Sequence, residues 1–329
     1  MTTASLVADV VRAVPLARQA MAGAVYPTPF EHSIWPSELT GARIGLKLEC
    51  YQPTGSFKVR GALAAIAQLD NAARARGVVT ASAGNHGLGV AYAASRAGVR
   101  ATVVTPDEAS PAKLSALRRF PIELLRGGSS YDTAERRARE IEQETGATFV
   151  SPYNDPWVIA GQGTIGQELL EDEPELDVVL VPVGGGGLLS GIGAWIKSHR
   201  PATRIIGVQS VASPAMHRAV NLGRLIEIEV LPTLADGLAA NIEVGSRTFD
   251  IVQTVIDDFV LVSEDEIADT VRLAFHDLHL ALEGSAVVGI AALLHDRIPN
   301  LEDKQVGVVI TGRNIAAERL CELLGVTTH

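Results

Sequence analysis

Asp177-Val178-Val179-Leu180-Val181-Pro182-Val183 runs straight into Gly184-Gly185-Gly186-Gly187, and Leu188 to Ser198 then follows as a helix rich in small residues. A short, continuous Val/Leu run closed by a turn reads as a strand buried on both faces. Four successive glycines carry no Cβ, so their backbone N–H groups can wrap a phosphate at the start of the next helix. No Gly-Lys-Ser/Thr ending follows, which excludes a nucleoside-triphosphate P-loop.

The same alternation extends along the chain. Strands are expected at Ile44–Leu48, Gly77–Ala81, Ala101–Thr105, Glu123–Leu125, Thr148–Val150, Ile205–Gln209, Asp258–Val262 and Val306–Thr311. Helices are expected at Gly61–Leu69, His86–Ala97, Ala112–Arg119, Thr133–Glu144, Glu266–His279 and Ile315–Leu324. This pattern predicts an α/β fold with mainly parallel twisted sheets flanked by helices. At 329 residues the chain exceeds a single core. No linker interrupts it, so two intertwined lobes are expected: a large one from residues 1–76 and 152–329, and a small mobile one from 77–151.

Composition narrows the function. Apolar residues are 47% and charged residues 20%, with a net charge of −10. An acidic chain lacks the basic footprint that nucleic acid or an anionic membrane requires. Cys50 and Cys321 have no CxxC spacing, which argues against a disulfide scaffold or structural zinc and for a reducing cytoplasm. Asp9, Arg12, Pro15 and Arg18 break any signal-peptide stretch, and no run of apolar residues is long enough to span a bilayer.

Three further motifs carry chemistry. Pro53-Thr54-Gly55-Ser56-Phe57-Lys58-Val59-Arg60-Gly61-Ala62 presents donors at a helix start, with Lys58 in the first turn beside an aromatic ring. Those surroundings disfavour an ammonium and suit a Schiff-base lysine. Thr80-Ala81-Ser82-Ala83-Gly84-Asn85-His86-Gly87 offers converging donors for a carboxylate or phenolic oxygen, although Ser and Asn also serve as ordinary caps. Thr311-Gly312-Arg313-Asn314 follows a strand end, where a neutral hydroxyl could meet a ring nitrogen. Gly161-Gln162-Gly163-Thr164-Ile165-Gly166 matches GxGxxG, yet a turn running into a helix precedes it, so close helix packing explains it better than a dinucleotide site. His276 and His279 have the spacing of one helix face but suggest no third ligand, so a polar face is the better account than a metal site.

Together these motifs resemble the threonine/serine dehydratase and serine racemase branch of fold-type II pyridoxal-phosphate enzymes, from Thr28-Pro29 to Asn314. The resemblance implies pyridoxal 5'-phosphate held by Lys58, with Phe57 against its ring and Asn85 on its phenolic oxygen. Gly184, Gly185, Gly186, Gly187 and Leu188 would hold its phosphate, and Thr311 would face the pyridine nitrogen. Ser56, Ser82, Ala83, Gly84, Asn85 and His86 would receive the substrate. The implied reaction removes the β-hydroxyl and amine from L-threonine or L-serine, giving a 2-oxo acid and ammonia. A hydroxyectoine-derived amino acid, a β-aryl serine or 3-hydroxyaspartate are alternative substrates, and amino-acid racemisation is a further one. Such enzymes are commonly dimers or tetramers.

The sequence also departs from that pattern. Serine racemases carry a second serine where Ala83 stands, so racemisation is expected to be poor. Gln209-Ser210-Val211-Ala212-Ser213-Pro214-Ala215 has no carboxylate where many members bind a divalent cation, so no metal site is expected. Ser151 replaces the usual histidine before Pro152, which points to an altered substrate pocket. The chain ends at His329, without the regulatory domain of biosynthetic threonine dehydratases, which suggests a catabolic or specialised role.

Overall fold

The computed structural model describes residues 3–326; the outermost residues of the expected large lobe, 1–2 and 327–329, lie outside that range. Among the described residues the strands are β1 (Phe30–His32), β2 (Arg43–Lys47), β3 (Val78–Ala81), β4 (Ala101–Thr105), β5 (Glu123–Arg126), β6 (Thr148–Phe149), β7 (Val178–Pro182), β8 (Arg204–Ser210), β9 (Asp258–Val262) and β10 (Gln305–Val309). One sheet has the order β1-β2-β10-β7-β8-β9 and the other β5-β4-β3-β6. Only β1 runs antiparallel, pairing Phe30 with Lys47. The smaller sheet draws on one continuous segment, and the larger on the chain before and after it.

β7 shows why the larger sheet is central. Val178 and Leu180 pack into one apolar cluster, and Val179 and Val181 into another on the opposite face. Side chains alternate across a strand, so a strand apolar at every position joins two cores. Each such buried side chain contributes about 1.5–3 kcal/mol. Helix Gly284–Leu294, apolar from Ala286 onward, covers one face. Helix Gly187–His199 covers the other.

A third cluster brings together helices from before, within and after the segment that forms the smaller sheet. Ala17, Val59, Ala62, Val90, Ala94 and Val158 pack together from helices Thr3–Ala20, Lys58–Ala67, Asn85–Ala97 and Pro156–Asp172. The Gly161/Gly163/Gly166 run lies inside the last of these, capped by Asp155, which accepts from Trp157 N and Val158 N. A Cβ at Gly161 would stand 2.7 Å from the Arg60 carbonyl. Close helix packing therefore accounts for these glycines.

Buried charges tie helix Lys58–Ala67 to the end of β2 and to helix Pro156–Asp172. Arg60 bonds both oxygens of Glu49, at 2.8 and 2.7 Å, and both of Glu168, at 2.6 and 2.9 Å. Lys47 pairs with Glu168 at 2.9 Å and with Asp172 at 2.8 Å. Removing one partner from such a buried set costs about 3–5 kcal/mol, because the others are left uncompensated.

Two sequence expectations are corrected. Helix Glu264–His276 stops at Asp277, and His279 lies beyond it with φ +55°. His276 and His279 therefore share no helix face. The strand expected to reach Thr311 ends at Val309, because the chain turns to pair with the Lys58 loop: Cys50 N bonds Ile310 O at 3.0 Å, and Phe57 N bonds Thr311 O at 3.1 Å.

Candidate active site

β7 and β10 are parallel neighbours, so the glycine loop and Thr311 emerge side by side at the carboxyl edge of the larger sheet. β3 delivers Ser82 to Asn85 from the smaller sheet. Between them lies a cavity of about 640 Å³. Phe57, Lys58 and Thr311 line it, as do Gly184 to Leu188 and Ser82 to His86. Ser56 is not on this wall; it is fully buried and forms an isolated antiparallel bridge with Gly312.

Helices Lys58–Ala67, Asn85–Ala97 and Gly187–His199 start at this cavity, and none of these three has a side-chain cap. Their N-cap positions are Phe57, Gly84 and Gly186. Asp70, Ser110, Ser130, Asp155 and Ser263 cap their helices, whereas the helices that follow Ser33, Pro214, Ser246, Glu283 and Ala316 also lack a side-chain cap. Uncapped first-turn N–H groups are orphan donors at the positive ends of helices, and an anion satisfies them. Gly186 takes φ +86°, a conformation that suits glycine. A Cβ at Gly185 would strike the Tyr153 ring at 2.5 Å. The glycine cradle is therefore required by both backbone conformation and close approach.

Lys58 sits at the floor, half-open to the cavity and enclosed by protein on its other sides. Its Nζ donates to Pro152 O at 2.9 Å and lies 5.2 Å from the Phe57 ring centre. Burial lowers its pKa to about 8, and the Glu283 charge opposes part of that shift. His86 is held neutral, its pKa lowered to about 3 by burial and by Lys58. Its Nε2 bonds Val150 O at 2.9 Å, and a neutral ring donates this proton. Ser82 accepts from Gly84 N at 3.1 Å, which shapes the turn rather than capping the helix. The Thr311 hydroxyl is buried and makes only a long contact, 3.5 Å, to Ser285 O.

Sequence reasoning missed several wall residues. Tyr153 lies over the glycine loop, and its hydroxyl accepts from Glu243 N at 3.1 Å. The only local signal was the altered Ser151–Asn154 loop. Glu283 accepts from Asn85 Nδ2 at 2.7 Å across 198 positions, which no local pattern could announce. Among the described residues no group of three or more His, Cys, Asp or Glu could hold a metal. Among the described residues no helix is long and apolar enough to cross a membrane either.

A low-pKa lysine amine facing an uncapped glycine cradle defines a class: enzymes that bind a phosphorylated aldehyde cofactor through lysine. The geometry fits pyridoxal phosphate, since cradle, amine and a neutral hydroxyl open onto one cavity. Residues 21–312 match the model of the pyridoxal-phosphate dependent enzyme family, and the chain belongs to that family. It is 44% identical to the L-threonine ammonia-lyase of Thermotoga maritima over 299 residues, 91% of this chain and 74% of the relative. It is 38% identical to the catabolic L-threonine dehydratase of Escherichia coli over 310 residues, 94% of both chains. The structure of maize serine racemase superposes with a TM-score of 0.90 at 31% identity, covering 95% of each chain.

Proposed function

We propose that this chain is an ammonia-lyase that converts a small 3-hydroxy amino acid, L-threonine or L-serine, to a 2-oxo acid and ammonia. The observation that carries it is the enclosed Lys58 amine, its pKa near 8, at the meeting of three uncapped helix starts. The two relatives named for threonine breakdown support the substrate class.

In this reading Lys58 would link the cofactor, Phe57 would pack beside it, and Gly184 to Leu188 would hold its phosphate. Asn85 would bond its phenolic oxygen, and Thr311 would meet its ring nitrogen. Ser82, Ala83, Gly84, Asn85 and His86 receive the substrate carboxylate at the uncapped helix start. Bound pyridoxal phosphate supplies the electron sink for charge developing at Cα. The Lys58 amine would serve as the base that takes the Cα proton. Thr311 offers a neutral hydroxyl rather than a carboxylate, which leaves charge on Cα less stabilised and favours prompt loss of the β-hydroxyl. Ala83 has no proton to return, so racemisation is disfavoured.

The same reading places the enzyme in a reducing cytoplasm, with two free cysteines. It also makes the enzyme a homo-oligomer, in keeping with exposed apolar residues such as Ile34 and Leu39. The test is keto-acid release from threonine, serine, 3-hydroxyaspartate and phenylserine. Turnover of the first two supports the proposal. Activity confined to phenylserine or 3-hydroxyaspartate shifts it to a specialised dehydratase.

A further inference from the structure

Asn85 has both ends of its amide committed within the protein. Its Nδ2 donates to Glu283 Oε1 at 2.7 Å, and its Oδ1 accepts from Asn314 Nδ2 at 2.6 Å. Asn314 Nδ2 also donates to Thr54 O at 2.8 Å, so both its N–H groups are used and its own orientation is fixed. One N–H of Asn85 therefore remains for a molecule in the cavity. Glu283 is buried, and among the described residues no cation comes within 4.0 Å of its carboxyl. Burying a carboxyl without an ion pair is costly, and an apolar core gains nothing from it. Burial, and then the charge of Asp236, raise its pKa to about 7, as expected of a group held out of water. Gly312 makes the arrangement possible, because a Cβ there would stand 2.2 Å from Glu283 Oε1.

We propose that Glu283 is a positioning residue that holds the Asn85 amide toward the cofactor, and that Gly312 lacks a side chain in order to admit the Glu283 carboxyl. The proposal rests on the reading that Asn85 bonds the cofactor. It assigns work to the Thr311–Asn314 motif beyond Thr311: Gly312 makes room, and Asn314 sets the polarity of Asn85.

The test follows release of pyridoxal phosphate from the purified holoenzyme, together with the position of its visible absorption band. Asn85→Ala and Glu283→Ala should each weaken retention about tenfold, the scale of one hydrogen bond to a charged group. They should also displace the band in the same direction. The double variant should lose no more than about twofold beyond either single one, because the two act as a unit. Glu283→Gln keeps an acceptor for Asn85 and should stay within about threefold of wild type. A Gln variant as leaky as the Ala variant overturns the proposal. Gly312→Ala displaces the carboxyl with Glu283 intact, and gives the same test should Glu283→Ala not fold. If Asn85→Ala is leaky while Glu283→Ala and Gly312→Ala behave as wild type, the proposal falls and the reading of Asn85 stands. Full additivity of the two losses also overturns it. If Asn85→Ala retains cofactor as wild type does, the reading of Asn85 fails and the proposal falls with it.

Discussion

Lys58 Nζ donates to the Pro152 carbonyl at 2.9 Å, a contact between residues 94 apart. The carbonyl lies in the loop where the chain leaves the smaller sheet, beside Tyr153 over the glycine cradle. The amine is thus aimed by backbone rather than by an acid. Replacing Lys58 with Ala should abolish borohydride-reducible cofactor and lower ammonia release by about 10²–10⁴-fold or more, the loss of a general base. Trapped cofactor mapping to another lysine would show that the site is misassigned.

Capture of the cofactor should track the neutral amine of Lys58. Burial, partly opposed by Glu283, sets its pKa at about 8 in place of 10.5. A lowered amine pKa raises the reactive fraction: at pH 7 about a tenth is neutral, against about one in three thousand at the ordinary value. The rate at which cofactor-free protein takes up pyridoxal phosphate should rise from pH 6 and level off above about pH 8. A rate still climbing through pH 10 would mean that Lys58 is not desolvated as described.

The cradle can be probed by one methyl group. A Cβ at Gly185 meets the Tyr153 ring at 2.5 Å, whereas one at Gly84 meets nothing within 4 Å. Gly185→Ala should destabilise the protein by about 1–3 kcal/mol through overpacking, and should weaken cofactor retention about tenfold or more. Gly84→Ala should change stability by no more than about 0.5 kcal/mol. Thermal melts and cofactor release measure both, and equal behaviour of the two variants would remove the steric argument.

The legible parts of the molecule were those with local cause. β7 and its glycine loop, β3 and β4 follow from uninterrupted apolar runs and turn residues. The helix expected from Glu266 starts at Glu264, set by a Ser263–Glu266 capping box that is itself local. Helix Gly284–Leu294 has no polar face and hence no period to detect. Helix Thr3–Ala20 hides behind Pro15. Lys58, the glycine cradle and the Asn85 loop could be read because each sits at its own strand–turn–helix junction. Glu283, Tyr153 and the Arg60 cluster could not, since each is defined by a partner far along the chain.

Divalent cations should affect neither fold nor turnover. The stretch from Gln209, at the end of β8, satisfies itself: Gln209 Nε2 donates to Val183 O at 3.1 Å, and its Oε1 accepts from His217 N at 2.7 Å. The nearby Glu264 accepts from Ser210 Oγ at 2.5 Å, Thr233 Oγ1 at 2.7 Å and Leu234 N at 2.6 Å. No anionic oxygen of this stretch is left for a hard cation. Exhaustive chelation should leave melting temperature and activity unchanged. Losses restored by magnesium or calcium would place ligands elsewhere, with Glu227 and Asp236 the first to examine.

Elimination should dominate racemisation. In the proposed reading both reactions begin with removal of the Cα proton by Lys58, so they part only afterwards. Racemisation needs a proton donor on the face opposite Lys58, and Ala83, on the cavity wall, carries none. Elimination needs only that the β-hydroxyl leave before the proton returns. In the proposed reading the neutral hydroxyl of Thr311, which is buried, hastens that by leaving charge on Cα poorly stabilised. L-Serine should therefore give pyruvate with little D-serine. Ala83→Ser adds a hydroxyl beside Ser82 and should raise the D-isomer fraction, with pyruvate still the main product. Chiral chromatography of the reaction mixture decides the matter. Abundant D-serine from the unmodified enzyme would sink the dehydratase reading and put a racemase in its place.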